Sequence, residues 1–540
     1  MSQEIHTAAP AAPTLSGLLR HACDSSAAPA LYYGERIVSF AELDAESRRV
    51  ARGFADLGIG PGDRVALWLP NVPAWLACFF ACARLGAIAI AVNTRFRSAE
   101  MADIVGRSGA KLVVFWPAFR HIDFAGIIED VDSQALSQLV GLVAYDEGGD
   151  ATARRRIHGL PVYSYRDLSA RPEFEPDYAQ AQAGCVIFTT SGTTKAPKFV
   201  LHRQHSISRH VQDVATRWLL RAPDAMGLSV LPLCGVFGFD TALAALAAGR
   251  PQVMMPSFNA AQTREAITRY RVSSTNLTGD MIAQVVDAAS GKNDFASVRL
   301  CGCGSGASVQ VHPAEDKGLT VVGVYGSSEV QALFSRQDET IAADERSLGG
   351  GFPSAREALV RAVDTETGAL LAHGISGALE IRAPSQLAEY FADPQATRAA
   401  FTDDGYFRTG DLGYTLADGR FIYQARMGDA MRLSGFLVSP PQIEGVLLEH
   451  GAVLACQVVG VDGEQGTRAY AFVIARAGTA FDEAELLAFC TQRMAKYKVP
   501  RRIFRVDEFP TTLSANGIKV QKAKLREMAQ ALAGEASDKS

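Results

Sequence analysis

The sequence predicts an α/β fold: a large N-terminal domain of parallel, αβ-layered sheets with a small β-rich subdomain, followed by a smaller, mobile α+β C-terminal domain. Two observations lead to this prediction. Helical and strand patterns alternate from about residue 39 to residue 114 and again from Cys185 to about residue 329, and a further alternation begins after Arg426. In addition, 540 residues exceed what one hydrophobic core supports, so we expect several folding units.

The N-terminal elements follow from the spacing of apolar residues. Residues 40–57 and 73–85 have helical spacing, and the short apolar run 64–69 between them is typical of a buried strand. A strand over 87–91 and a helix over 98–108 continue the alternation. Such alternation predicts a mostly parallel sheet with helices on its faces, and it resumes from Cys185.

The remaining elements define the two smaller parts. Short strands at 378–382 and 419–423 indicate the β-rich subdomain. We place the domain boundary after residue 426, which gives an N-terminal domain over 1–426 and a C-terminal domain over 427–540. Gly428 has the backbone freedom that a moving joint requires, although a simple turn is equally consistent with it. The elements predicted beyond the boundary are a helix over 440–448, strands over 454–461 and 469–475, and a helix over 482–494.

Composition excludes several classes of protein. Lys and Arg number 53 against 58 Asp and Glu, so no basic excess exists to drive nucleic-acid binding. The nine cysteines are scattered and odd in number, which argues against a disulfide framework and indicates a reducing compartment. The N-terminus lacks the pattern of a signal peptide, and no segment has the length and apolar character of a membrane span. We therefore expect a soluble cytoplasmic protein without an integral membrane segment.

The run TTSGTTKAPK over 189–198 is the most informative segment. Five of its first six residues carry hydroxyls, and it follows the apolar strand 185–188. Hydroxyls, a glycine and a terminal lysine after a strand are typical of a loop that grips a polyphosphate. An ordinary Ser/Thr-rich surface loop is the alternative. The run lacks GxxxxGK[ST], so a P-loop kinase or ATPase is disfavoured.

Further segments stand in a fixed order along the chain: GDRVALWLPN (62–71), TTSGTTKAPK (189–198), VYGSSEV (324–330), YFRTGDLG (406–413), ARMGDAMRLSG (425–435), YKVP (497–500) and NGIKVQK (516–522). Together they resemble the adenylate-forming superfamily, which contains acyl- and aryl-CoA synthetases, peptide-synthetase adenylation domains and luciferases. The resemblance spans Ser39 to Arg526. It implies an enzyme that uses ATP, Mg²⁺ and CoA to convert a carboxylic acid into a thioester through an acyl-adenylate.

The resemblance also assigns roles to residues at the nucleotide. Tyr325 would stack on adenine beside Gly326, Ser328 would contact the α-phosphate, and Glu329 would hold Mg²⁺. Asp411 would accept hydrogen bonds from both ribose hydroxyls, which suits a carboxylate because it offers two acceptors. The other nucleotide residues that the resemblance implies are Thr190, Ser191, Gly192, Thr193, Thr194 and Lys198 at the pyrophosphate, Arg426 near the ribose or phosphates, and Gly304, Ser305 and Gly306 along the adenine and acyl pockets.

Lys519 is the candidate for the mobile catalytic lysine, together with Ser328 and Glu329 as catalytic residues. Relatives have Gly-Lys-Ile followed by Gln, whereas this chain has one more residue between Gly517 and the lysine. Alignment on Lys-Val-Gln selects Lys519, and Lys522 and Lys524 are the alternatives. In the second half-reaction Gly435 would allow the pantetheine arm of CoA to approach the backbone closely.

Several positions depart from the family pattern. Lys195 and Phe199 stand where glycine is common, Ala425 replaces a glycine, and Gly235 replaces a histidine that gates the carboxylate pocket in many relatives. The acyl pocket itself should draw on apolar residues with small gaps between them. The residues that we assign to it are Phe237, Gly238, Phe239, Gly306, Val330, Gln331 and Leu333.

These observations together predict an AMP-forming acyl-CoA ligase that acts on a hydrophobic acid, with a fatty acid favoured. The alternatives are an aryl-acid CoA ligase of the benzoate or cinnamate type, an acyl-AMP ligase that loads a carrier protein, and a non-catalytic nucleotide-binding homologue. The expected partners are the small-molecule acid, ATP and CoA, and a homodimer is a further expectation. No acidic residue lies within Gly235–Gly238, where amino-acid adenylation domains carry an aspartate, so amino-acid activation is less favoured.

Overall fold

A computed structural model describes residues 13–147, 155–190, 197–304, 307–433, 436–462, 466–514 and 517–537. The chain divides into two compact units. One contains Met1–Leu359 and Arg382–Phe407, and the other contains Val360–Ile381 and Arg408–Ser540. The predicted mixed α/β class, with a large N-terminal part built on sheets and a smaller C-terminal part, is confirmed. The domain boundary after residue 426 stays a prediction.

The helices and strands have the following bounds. The helices are α1 (Leu15–Ser25), α2 (Phe40–Asp56), α3 (Pro73–Leu85), α4 (Ser98–Ser108), α5 (Phe124–Glu129), α6 (Tyr165–Ser169), α7 (Gln204–Arg217), α8 (Val236–Ala247), α9 (Ala260–Tyr270), α10 (Gly279–Asp287), α11 (Ala307–Asp316), α12 (Ala343–Arg346), α13 (Pro394–Ala400), α14 (Pro440–Leu448), α15 (Glu483–Arg493) and α16 (Lys522–Ser537). The strands are β1 (Pro29–Tyr33), β2 (Arg36–Ser39), β3 (Arg64–Trp68), β4 (Ile88–Ala91), β5 (Leu112–Phe115), β6 (Ala118–Phe119), β7 (Ile122–Asp123), β8 (Gly141–Ala144), β9 (Arg156–Ile157), β10 (Leu160–Ser164), β11 (Gly184–Thr189), β12 (Phe199–Arg203), β13 (Gly227–Ser229), β14 (Gln252–Met254), β15 (Ser274–Leu277), β16 (Leu300–Cys303), β17 (Val321–Ser327), β18 (Gln331–Arg336), β19 (Gly350–Pro353), β20 (Leu359–Val363), β21 (Gly377–Arg382), β22 (Glu389–Tyr390), β23 (Phe407–Thr415), β24 (Phe421–Arg426), β25 (Met431–Leu433), β26 (Phe436–Val438), β27 (Val453–Val461), β28 (Arg468–Ala475), β29 (Arg502–Arg505), β30 (Thr511–Ser514) and β31 (Gly517–Val520).

Two large sheets organise the first unit. One has the order β2-β1-β14-β13-β15-β16-β17-β18-β19, and the other has the order β22-β12-β11-β4-β3-β5-β8-β10-β9. The inner pairs β13–β15–β16–β17 and β11–β4–β3–β5–β8 are parallel, as the alternation of helices and strands predicted. Antiparallel pairs at β11–β12 and β17–β18 join the segments that carry the candidate site.

The local sequence explains where the predicted helices begin and end. At α2, Ser39 Oγ accepts from the backbone N–H of Glu42 at 3.1 Å while the Glu42 carboxylate accepts from the Ser39 N–H at 2.7 Å. Helix α3 begins at Pro73, which already has the backbone angle of a helix, and ends before Gly86 in the left-handed conformation with φ 69°. Both predicted boundaries of α3 are therefore confirmed.

The second unit is built from smaller sheets. Strands β24, β23, β21 and β20 are neighbours in that order, β27, β28 and β29 form a three-stranded sheet, and β25–β26 and β30–β31 are hairpins. Helices α14 and α15 pack on the sheet of β27 and β28 through Ile443, Leu447, Leu486 and Cys490, which are at most 2 % exposed. Helix α14 has the bounds that its sequence predicted.

Candidate active site

The residues Tyr325 to Glu329 lie in the hairpin formed by β17 and β18. Strand β17 runs through Ser327 because its antiparallel pairing with β18 continues there. A Cβ atom at Gly326 would lie 2.5 Å from the carbonyl oxygen of Gln331. The turn therefore requires glycine at this position.

Two non-glycine residues of β18 have left-handed backbone, Gln331 at φ 70° and Leu333 at φ 56°. Such a conformation costs roughly 1 kcal/mol for each residue, so surrounding contacts must hold it. The backbone N–H of Leu387 donates to the carbonyl of Glu329 at 2.6 Å, and Ser354 Oγ donates to the carbonyl of Leu333 at 2.6 Å. Contacts with distant segments thus fix the backbone beside the candidate catalytic residues.

The carboxylate of Glu329 has a partner that the sequence analysis did not identify. Tyr390 Oη donates to Glu329 Oε1 at 3.0 Å, and Lys198 Nζ lies 4.2 Å from the centroid of the Tyr390 ring. Tyr390 is only 5 % exposed and belongs to β22, which pairs with β12. One tyrosine therefore joins the last lysine of the Ser/Thr-rich loop to the candidate magnesium ligand.

The two described ends of the Ser/Thr-rich loop are held together. The backbone N–H of Thr190 donates to the carbonyl of Lys198 at 3.0 Å, and the N–H of Lys198 donates to Thr190 Oγ1 at 3.2 Å. These bonds extend the antiparallel pairing of β11 with β12. Ser191, Gly192, Thr193 and Thr194 lie outside the described residues, so their assignment to the pyrophosphate stays a prediction.

The structure explains the unusual Phe199. Its side chain is 3 % exposed in the core of the second sheet, and the guanidinium carbon of Arg107 lies 4.3 Å from its ring centroid. Arg107 Nη2 also donates to the carbonyl of Pro197 at 2.7 Å, and Asp103 pairs with the same guanidinium. An aromatic ring at this position therefore supports the arginine that holds the end of the loop.

Some predicted pocket residues lie together, whereas others pack in the core. A Cβ at Gly304 would lie 3.7 Å from Phe237 Cε1, so these two predicted residues are neighbours. Phe239 instead packs against Phe79 and Phe188, with ring centroids 5.1 and 5.2 Å away. A Cβ at Gly238 would overlap the carbonyl oxygens of Leu231 and Pro232, so this glycine lets α8 approach that backbone. Ser305 and Gly306 lie outside the described residues.

The other predicted pocket residues are buried. Val330 and Leu333 are at most 1 % exposed, and Leu333 lines a small cavity together with Trp218, Thr241 and Asn276. Gln331 is fully buried and its amide lies beside Asp240. The wall that the sequence predicted as apolar therefore contains a buried polar pair.

In the second unit, Asp411 and Arg426 face each other across β23 and β24. Arg426 Nη1 lies 3.1 Å from Asp411 Oδ1, and the same nitrogen donates to the carbonyl of Thr409 at 3.1 Å. The Asp411 side chain is 3 % exposed, whereas that of Arg426 is 55 % exposed. The pairing of the strands thus places together two residues that the sequence assigned to the ribose and phosphates.

The predicted catalytic lysine belongs to a hairpin. Lys519 lies on β31 opposite Thr512 of β30, and its side chain lies outside the described part of the structure. Lys522, one of the alternatives, has Nζ 3.4 Å from Glu444 Oε1, and that carboxylate oxygen also accepts from the backbone N–H of Val458 at 2.9 Å. Lys522 thus has a partner within its own unit. Gly435 lies outside the described residues.

The residues at the predicted hinge, Gly428 and Asp429, also make contacts within the second unit. Arg526 of α16 donates to the carbonyl of Gly428 at 2.9 Å and pairs with Asp429 at 2.6 Å. A Cβ at Gly428 would meet no atom within 4 Å, so packing does not require glycine there. The role of Gly428 as a joint stays a prediction.

A family model for AMP-binding enzymes matches residues 19–391, and a model for the C-terminal domain of AMP-binding enzymes matches residues 442–516. The chain belongs to the AMP-binding enzyme family. The prediction of the adenylate-forming superfamily is thereby confirmed, as is the prediction of an ATP-dependent acid–CoA ligase at the level of the enzyme class.

Relatives of this AMP-binding enzyme are named for different carboxylic acid substrates. It is 29% identical to 4-coumarate–CoA ligase 5 of Oryza sativa subsp. japonica, covering 91% of this chain and 89% of the relative. It is 28% identical to the long-chain-fatty-acid–CoA ligase FadD13 of Mycobacterium tuberculosis, covering 91% and 93%. ATP-bound MatB from Rhodopseudomonas palustris has the same fold, with a TM-score of 0.81, 24% identity and coverage of 95% and 98%.

Glu329 meets the chemical requirement for a magnesium ligand. Mg²⁺ commonly binds one or two carboxylates, with substrate phosphates and water completing its coordination. Tyr390 bonds one carboxylate oxygen of Glu329 and so orients the group. Among the described residues, no cluster of three or more His, Cys, Asp or Glu could hold a metal without such phosphates. None of the helices in the described ranges combines the length and apolar character needed to cross a membrane.

Proposed function

We propose that this enzyme activates a hydrophobic carboxylic acid, with fatty acids as the favoured class, and transfers the acyl group to CoA. The observation that carries the proposal is the contact of Tyr390 with both Lys198 and Glu329. One aromatic side chain thus contacts both the end of the Ser/Thr-rich loop and a carboxylate suited to Mg²⁺. Phe237, 8 % exposed and next to Gly304, supplies an apolar surface for the acid.

In the first half-reaction a carboxylate oxygen of the acid attacks the α-phosphorus of ATP. The bond from that phosphorus to the bridging oxygen breaks, and pyrophosphate leaves. Thr190, Lys198 and the loop residues 191–194 hold the pyrophosphate through hydroxyls, N–H groups and a cation. Ser328 contacts the α-phosphate, and Lys519 stabilises the developing negative charge. Bound Mg²⁺, held by Glu329, would neutralise phosphate charge.

The other residues that the sequence assigned to the nucleotide hold its adenine and ribose. Tyr325 stacks on the adenine, with Gly326 in its tight turn, and the 304–306 segment lines the adenine and acyl pockets. The Asp411 carboxylate accepts from the two ribose hydroxyls, and Arg426 reaches the ribose or phosphates. The Arg426 side chain is 55 % exposed, which is consistent with this role.

In the second half-reaction the sulfur of CoA attacks the acyl carbon of the adenylate, and AMP leaves. We propose that residues 427–540 move at Gly428 between the two steps, which withdraws Lys519 and lets the backbone at Gly435 contact the pantetheine arm. A carrier-protein phosphopantetheine would enter by the same route.

The experiment is acid-dependent pyrophosphate–ATP exchange followed by thioester formation, across short, medium and long fatty acids plus benzoate and cinnamate types. Exchange with fatty acids and thioester formation with free CoA support the proposal. Preference for the aromatic acids would favour the aryl-acid alternative. Exchange without CoA thioester, but with acyl transfer to a carrier protein, would favour the acyl-AMP ligase. Absence of exchange with every acid would overturn the proposed activity.

A further inference from the structure

Four polar side chains form a buried chain across the first unit. His202 of β12, Gln331 of β18 and Asp240 of α8 have no exposed surface, and His210 of α7 is 2 % exposed. The N–H groups and oxygens of such side chains are costly to bury unless they are hydrogen-bonded to each other or to the backbone. Their arrangement therefore requires a structural or functional reason.

The chain is hydrogen-bonded from end to end. His202 Nε2 donates to the carbonyl of Ser328 at 2.7 Å, and His210 Nε2 donates to the carbonyl of Ala332 at 2.6 Å. The neighbours of Gln331 orient its amide so that the nitrogen donates to Asp240 at 3.0 Å and the oxygen lies 2.8 Å from His202 Nε2. The chain thus bonds the backbone on both sides of Gln331.

The charge states fit these contacts. Burial lowers the pKa of His202 to about 4, so near pH 7 the imidazole is neutral and its one N–H is available to the carbonyl. Burial alone would also lower the pKa of His210, but Asp240, with Oδ2 3.5 Å from Nε2, raises it above the ordinary value. The His202 end of the chain is therefore a neutral donor, and Asp240 favours the charged form of His210 at the other end.

The bonded segment is the one that carries the candidate catalytic groups. Ser328 and Glu329 lie three and two residues before Gln331, whose left-handed backbone is strained without support. His202 and His210 both bond backbone carbonyls of this segment, which lies more than 120 residues further along the chain. We propose that His202, with Gln331, Asp240 and His210, is a positioning residue that fixes Ser328 and Glu329 for adenylate formation. This inference rests on the proposed function.

The first test compares His202→Leu with His202→Gln in pyrophosphate exchange. Leucine removes the donor of the bond to the Ser328 carbonyl, whereas the amide nitrogen of glutamine can occupy the place of Nε2. We expect His202→Leu to lower the kcat of exchange roughly 10- to 100-fold with a change of less than about threefold in the KM for the acid. We expect His202→Gln to recover most of that loss.

His205→Leu is the matched control. His205 Nδ1 bonds the carbonyl of Ala181 at 3.0 Å, so the same substitution breaks the same kind of bond away from the 328–333 segment. We expect wild-type exchange kinetics from this variant. Equal losses in His202→Leu and His205→Leu, or wild-type kcat in His202→Leu, would overturn the inference.

Backbone hydrogen exchange, read by mass spectrometry, tests the positioning without any activity. We expect His202→Leu to speed amide exchange in peptides covering 328–333 and to leave those of α2 and α3 unchanged. Unchanged exchange at 328–333 would overturn the inference. If the wild type shows no acid-dependent activity, the proposed function fails while this measurement still decides the positioning. If His202→Leu does not fold, Gln331→Met takes its place in both measurements, because it breaks the bridge to Asp240. We expect this variant to lower the kcat of pyrophosphate exchange and to speed amide exchange at 328–333. Wild-type kcat or unchanged amide exchange in Gln331→Met would overturn the inference.

Discussion

The hydroxyl of Tyr390 donates to Glu329 Oε1 at 3.0 Å, and the ring of the same tyrosine lies 4.2 Å from Lys198 Nζ. One face of the side chain therefore contacts the cation that ends the Ser/Thr-rich loop, while its tip orients the candidate magnesium ligand. Each contact can be removed separately, because phenylalanine keeps the ring and loses the hydroxyl.

Tyr390→Phe should weaken adenylate formation. Loss of a hydrogen bond to a charged group corresponds to about 1.5–3 kcal/mol, so we expect kcat of pyrophosphate exchange to fall roughly 10- to 100-fold. A higher Mg²⁺ concentration should be needed for half-maximal rate. Tyr406→Phe is the control, since the Tyr406 ring lies near Arg382 rather than Glu329. An unchanged Mg²⁺ dependence in Tyr390→Phe would argue against the orienting role.

Phe199→Ala should destabilise the protein. The ring is 3 % exposed in the core of the second sheet and contacts Arg107, so its removal leaves a cavity and takes away the ring contact of that guanidinium. We expect a loss of about 3–5 kcal/mol in the free energy of unfolding, measured with denaturant. Ile37→Ala is the control, because Ile37 is 61 % exposed, and it should change the free energy by less than about 0.5 kcal/mol. Equal effects of the two substitutions would contradict the core placement of Phe199.

His202 should make stability fall at acid pH. Burial lowers its pKa from 6.5 to about 4, so between these values the unfolded chain binds a proton that the folded chain does not. The contribution to stability is complete above pH 6.5 and is lost as pH falls to about 4, for a total of about 3 kcal/mol. The difference in the free energy of unfolding between the wild type and His202→Gln should therefore decrease as the pH falls from 6.5 to about 4. A difference that does not vary with pH would contradict the buried neutral imidazole.

Lys519→Ala and Lys522→Ala distinguish the candidate lysines. A cation ~4 Å from developing negative charge is worth up to about 4 kcal/mol at an effective dielectric near 20, or roughly a thousandfold in rate. We expect Lys519→Ala to lose this factor in pyrophosphate exchange. Lys522→Ala should retain most activity, because Lys522 pairs with Glu444 within its own unit. The reverse pattern would show that the alignment on Lys-Val-Gln selected the wrong residue.

Local signals predicted much of the fold. The bounds of α3 follow from Pro73 and Gly86, and the start of α14 follows from Pro440 at its first position, because caps and breakers act within a few residues. The extension of β17 to Ser327 was not predictable in this way, since it depends on pairing with β18.

Some residues of the candidate site could not be predicted from the sequence, because they depend on long-range contacts. Tyr390 reaches Glu329 only because β22 joins the edge of β12, and no periodicity reveals that pairing. Histidines 202 and 210 were not identified, since a single histidine near an apolar run is commonly a satisfied core residue. Phe199 had no explanation until Arg107, 92 positions earlier in the chain, was found over its ring.

The central claim is that this chain forms an acyl-adenylate and converts it to a thioester. The most direct measurement supplies the purified protein with ATP, Mg²⁺, CoA and each acid of the panel, and identifies the nucleotide and acyl products by mass spectrometry. We predict AMP and acyl-CoA in equal amounts with a hydrophobic acid, and acyl-AMP when CoA is left out. Release of ADP, or no acid-dependent product with any member of the panel, would contradict the claim.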